Sequence, residues 1–70
     1  MSGHRRAQRT GFLDVTGRAI REGDRVRGII DGEIIIGDVC ELDADSWQLL
    51  NLYGGRSPDL RLFDELEVLT

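Results

Sequence analysis

The sequence has no lysine, one cysteine, one histidine, one proline and four aromatic residues, and each shortage excludes something. Cys40 cannot close an intramolecular disulfide, and with only the distant His4 beside it in the inventory it cannot assemble a zinc site. An unpaired cysteine in so short a chain points to a reducing compartment, so the expected location is the cytoplasm. The longest apolar run is Ile34-Ile35-Ile36, against the roughly 20 apolar residues that cross a bilayer. The arginines near the N-terminus have no apolar stretch behind them, so no secretory signal is expected. Seventy residues allow one domain with a small core and no obvious staple.

The same shortages remove most catalytic chemistries. The body has no histidine to serve as general base, and neither a Cys–His nor a Ser–His pair can form within it. Paired carboxylates occur (Asp43 with Asp45, Asp64 with Glu65), but at turn positions where solvated acids are ordinary. Asp43-Ala44-Asp45 lacks the remaining ligands of a calcium loop. Gly54-Gly55-Arg56-Ser57 reads as a loop rather than an anion cradle. The expectation is a chain that is not an enzyme and carries no cofactor or metal.

What the chain has in quantity is charge, unevenly spread. All nine basic residues are arginine, and Arg5, Arg6 and Arg9 precede Gly11. Six arginines remain against 13 acidic residues, so the body carries a formal 6 − 13 = −7. Such a body repels phosphate backbones and attracts basic partners.

The pattern along the chain is that of an all-β protein. Residues 1–10 are polar and basic without apolar period, and read as a disordered arm ahead of a domain over 11–70. Phe12 to Val15 reads as a short extended piece, and Ala19-Ile20 as buried anchors. From Asp24 to Ile30 the residues alternate, with Val26, Gly28 and Ile30 opposite Arg25 and Arg27. Asp31-Gly32 predicts a two-residue hairpin turn. The return strand spans Glu33 to about Leu42, with Gly37 predicting a bulge or bend. Trp47 to Tyr53 forms the next strand, Leu60-Arg61-Leu62 a short fourth, Phe63 to Leu66 a tight 3₁₀ turn, and Glu67 to Leu69 the last. Short strands with frequent turns at this length predict one small barrel of about five strands.

Asp14-Val15-Thr16-Gly17-Arg18-Ala19-Ile20-Arg21-Glu22-Gly23-Asp24-Arg25-Val26 resembles the D-x-x-G-x-x-I-x-x-G-D-x-V opening of small bacterial and phage SH3-like proteins, including those of the YopX type. Phe63 to Leu69 is similar to their closing turn and strand. The resemblance implies an SH3-like barrel and is nearly silent on function. With its acidic body the pattern also resembles an SH3-like antirepressor of a bacterial carotenoid operon, which implies binding to a DNA-binding protein by imitation of DNA. Peptide-binding SH3 grooves and methyl-lysine cages need several aromatics, and four in all are too few once the core takes its share.

The leading expectation is therefore a small regulatory protein-binding module of bacterial, phage or prophage type. Its surface would consist of Asp38, Glu41, Asp43 and Asp45, with Trp47 either packed in the barrel or serving as an anchor. Asp59, Asp64, Glu65 and Glu67 would extend it if the fold gathers them. A nucleic-acid-binding barrel using Arg5, Arg6, Arg9, Arg25 and Arg27 is the alternative. A self-associating subunit, paired through Ile34-Ile35-Ile36 at a sheet edge, is the third. Cys40 reads as buried and inert.

Overall fold

A computed structural model describes residues 9–43, 46–51 and 53–69. Its strands are β1 (Arg9–Leu13), β2 (Ala19–Arg21), β3 (Arg25–Ile30), β4 (Glu33–Asp43), β5 (Ser46–Leu50) and β6 (Glu65–Val68), with a 3₁₀ turn at Leu60–Leu62 before β6. β1 and β2 pair antiparallel as one sheet, and the order β5-β4-β3-β6 forms a second, antiparallel throughout. The described residues thus make an all-β fold of two sheets and no α-helix, and the two sheets are not joined into a closed barrel.

β3 forms where apolar residues alternate with arginine and β4 over the β-branched run Ile34-Ile35-Ile36, and the turn between them has the predicted chemistry. Asp31 and Gly32 both hold positive φ, 50° and 78°, as a type I′ turn requires. The pairing then runs unbroken from Ile30↔Glu33 to Arg25↔Asp38. The apolar side of both sheets closes on Ile20, Val26, Val39, Trp47, Leu49, Leu60 and Leu66, with Phe12, Ile35, Phe63 and Val68 packed against them.

Several expectations shift. β1 starts at Arg9, inside the segment read as an arm: Arg9 is in register with Arg21, and Thr10 Oγ1 donates to the Ile20 carbonyl. The 3₁₀ turn sits at Leu60–Leu62, where alternation predicted a strand. Asp59 explains it, because its carboxylate accepts from the Arg61 N–H while its carbonyl accepts from Leu62. Hydrogen bonds from backbone and side chain of Arg61, with its positive charge, hold the Asp59 carboxyl below the usual range. Leu60 is buried and Leu62 exposed, a contrast that one helical turn produces and a strand, whose residues two apart share a face, does not.

Gly37 carries no bulge. The register passes straight through it, and the irregularity lies between Glu41 and Asp43. Glycine is required at position 37 for another reason: a Cβ there would stand 2.6 Å from the Leu50 carbonyl oxygen. Gly37→Ala is expected to destabilise the fold by about 1–3 kcal/mol, the usual cost of overpacking, because backbone must move to relieve the contact. Urea unfolding of the two proteins checks this. At Gly28 an added Cβ would meet the Phe63 ring at 2.5 Å, so that ring occupies the space a side chain would need.

Asp14 joins the two sheets. Its Oδ1 accepts from the Thr16 and Arg18 N–H groups and from Thr16 Oγ1, while Oδ2 accepts from the Val68 N–H in β6. These bonds, led by the Thr16 hydroxyl and the Val68 amide, hold its carboxyl far below the ordinary value of 3.8 against a smaller opposing effect of burial. One carboxylate shapes the β1–β2 turn and fastens it to the closing strand.

Candidate binding surface

The outward face of the large sheet follows from strand parity. Arg25, Arg27 and Ile29 on β3 stand in register with Asp38, Ile36 and Ile34 on β4, and Arg27 and Ile29 with Glu67 and Glu65 on β6. Two cross-strand ion pairs form there: Arg25 Nε to Asp38 Oδ1 and Arg27 Nη2 to Glu67 Oε1, each 3.1 Å. Both pairs are about half exposed, so each stabilises the sheet by no more than about 1 kcal/mol. Their importance is for recognition, since they neutralise two of the arginines proposed for nucleic acid. Arg61 is similarly placed 3.4 Å from Asp59.

Asp31, Glu33, Glu41, Asp43, Asp64 and Glu65 are exposed, and none has an ion pair among the described residues. They fall at the two ends of β4. Asp31 lies in the β3–β4 turn and Glu33 just after it, and Asp64 and Glu65 lie alongside because the Asp64 N–H donates to the Ile29 carbonyl and Glu65 pairs with Ile29. Glu41 and Asp43 lie at the far end, roughly 30 Å away at about 3.3 Å per strand residue.

The sequence-predicted acidic set is accordingly divided. Asp38 is tied to Arg25 on the outward face, whereas alternation turns Glu41 to the other face, in register with Trp47. Asp45 lies outside the described residues, as do Arg5 and Arg6. Trp47 is 5% exposed and belongs to the core, so of its two readings the packing one fits. Cys40 is half-buried, opposite Gln48.

Towards the β3–β4 turn, at Ile34 and Ile36, the edge of β4 has no further strand paired to it among the described residues. In an antiparallel ladder, alternate residues direct N–H and C=O to opposite neighbours. Val39 N–H donates to Asp24, so the odd residues of β4 face β3. Leu49 accepts from the Ser57 N–H on the other side of β5, so Gln48 and Leu50 face the even residues of β4. Among the described residues β5 makes its last pair with β4 at Asp38↔Leu50. Ile34 and Ile36 therefore aim their backbone groups past the end of β5.

A groove of about 360 Å³ lies at this edge, lined by Ile34, Ile35, Ile36, Asn51 and Tyr53. Ile34 is 60% exposed and Tyr53 96%. Asn51 sets the loop by accepting at Oδ1 from the Tyr53 and Gly55 N–H groups, which ends the strand short of the predicted Tyr53. The strand expected over Trp47 to Tyr53 thus stops at Leu50, and Tyr53 lies exposed in the loop. The signal was present: an asparagine just ahead of Gly54-Gly55 favours a side-chain-closed turn over continued pairing.

No helix among the described residues is long and apolar enough to cross a membrane. Nor do these residues bring three or more histidine, cysteine or acidic side chains together to hold a metal ion. Comparison with protein-family models, curated proteins and solved structures gives no match to this chain.

Proposed function

We propose that this chain is a non-enzymatic protein-binding module of SH3-like organisation whose partner is a basic, DNA-binding protein. The order of parts supports the fold: a looped β1–β2 pair, the β3–β4–β5 meander, a 3₁₀ turn, then β6 returning to β3. One observation carries the functional reading. Internal pairing takes up Arg25, Arg27 and Arg61, while the exposed carboxylates at both ends of β4 have no ion-pair partner among the described residues. A surface of this kind repels nucleic acid and draws in a cationic protein. It imitates a phosphate backbone in sign, and the module acts as a small regulator by occupying a DNA-binding face.

Affinity capture from a nuclease-treated bacterial lysate tests the reading. A basic DNA-binding protein is expected to remain after nuclease, and to be lost when Glu41, Asp43 and Asp45 become Gln, Asn and Asn. Retention of nucleic acid alone, or of proteins that vanish with nuclease, would transfer the function to Arg5, Arg6, Arg9, Arg25 and Arg27.

A further inference from the structure

We infer that the open edge of β4 receives an extended, basic segment of the partner protein by strand addition. This rests on the reading that the partner is basic, and adds where and how part of it docks. Ile34 and Ile36 offer outward-directed backbone N–H and C=O groups, the elements to which an added strand pairs. The groove beside them accepts apolar side chains against Ile34, Ile35, Ile36 and Tyr53. An added strand is stopped at one end by Leu50, which already pairs with Asp38. At the other end it emerges over the β3–β4 turn, where Asp31 and Glu33 are exposed and Asp64 and Glu65 stand alongside.

Charge chooses the occupant. A second copy of this chain would set two chains of formal net charge −4 against each other, whereas a segment with alternating apolar residues and flanking arginine or lysine meets the acidic rim with opposite sign. The recognised chemistry is thus a short apolar strand bounded by cations.

The probe is the synthetic peptide Arg-Arg-Val-Thr-Val-Thr-Val-Arg-Arg, with a control in which glutamate replaces each arginine. Both are titrated into the ¹⁵N-labelled full chain and followed by NMR. The basic peptide is expected to bind and to shift the amides of Ile34, Ile36 and Tyr53, while the acidic one leaves them in place. Ile34→Pro deletes an N–H that no neighbouring strand uses among the described residues, at an edge position where proline is tolerated, and is expected to weaken binding about tenfold or more. Asp31→Asn with Glu33→Gln should weaken it by about fivefold, as expected for two exposed ion pairs. Tyr53→Ser removes groove area from an exposed residue and controls for any loss of folding in the proline variant.

Binding that Ile34→Pro and Tyr53→Ser both leave intact, with shifts at Glu41 and Asp43 instead, would overturn strand addition and keep the basic-partner reading. Equal binding of both peptides, or binding of neither, would overturn both. Edge shifts that grow with protein concentration alone would assign the edge to a second copy.

Discussion

Asp14→Ala is expected to produce the largest loss of stability of any single carboxylate substitution in this chain. It leaves the Thr16, Arg18 and Val68 N–H groups without their acceptor and removes one of the hydrogen bonds between the β1–β2 turn and β6, leaving that from the Val15 N–H to the Leu66 carbonyl. Asp14→Asn separates the two halves of that role. Its carbonyl oxygen can still shape the turn, but its NH₂ group faces the Val68 N–H, donor against donor. The asparagine variant should therefore fall between wild type and alanine, with β6 the first element to lose amide protection in hydrogen exchange.

The pH dependence has a definite sign. The folded carboxyl titrates far below 3.8, its ordinary value, so the unfolded chain binds the proton first as acid is added. Asp14's contribution is fully present above the ordinary value and is lost progressively as the pH falls below it, towards the lowered folded value. The stability gap between wild type and Asp14→Asn is thus expected to be constant from neutrality to about pH 5 and to shrink below about pH 4. Urea melts across that range measure it, and a gap that widened in acid would contradict the assignment.

Leu49→Ala is the second large effect. Leu49 is fully buried, in register with Val39, and its backbone exchanges hydrogen bonds with Ser57, N–H to Oγ and C=O to N–H. Truncation leaves a cavity that β5 cannot close without giving up those bonds. Large-to-small changes of this kind cost about 2–5 kcal/mol, and a chain of this length has roughly 4–10 kcal/mol in total at typical per-residue stability. The variant is expected to unfold at a much lower urea midpoint with an unchanged slope. A loss below about 1 kcal/mol would mean that the site collapses freely and that Leu49 is no core residue.

The stretch carrying the family resemblance turns out to be wholly occupied with folding. Asp14 binds the turn and β6, and Gly17 and Gly23 hold left-handed backbone at φ 87° and 88°. Ile20 and Val26 fill the core, and Asp24 Oδ2 accepts from the Arg21 N–H. Every spelled-out position has a structural task, which is why the motif pointed to a fold and left the function open. The β3–β4 hairpin was legible for the same reason, since Asp31-Gly32 between alternating residues has few other solutions.

Less legible was whatever depends on contacts distant in sequence. Gly37 looks like a bulge until the Leu50 carbonyl is found against it. The alternation of Leu60 and Leu62 fits a strand until Asp59 caps a turn. Arg25 and Arg27 looked available until Asp38 and Glu67, brought in from neighbouring strands, were found beside them. The run Ile34-Ile35-Ile36 was readable as an edge hazard, but its exposure depends on where β5 stops, and that is decided at Asn51.

If this acidic surface takes the place of DNA on a basic protein, as we propose, this chain and duplex DNA compete for one face of the partner. The most direct measurement challenges the captured complex with increasing duplex DNA, following both proteins by size-exclusion chromatography. The account predicts that DNA releases this chain and takes up the partner, with the two complexes mutually exclusive. A ternary complex of partner, DNA and this chain, or a partner that duplex DNA never displaces, would contradict it.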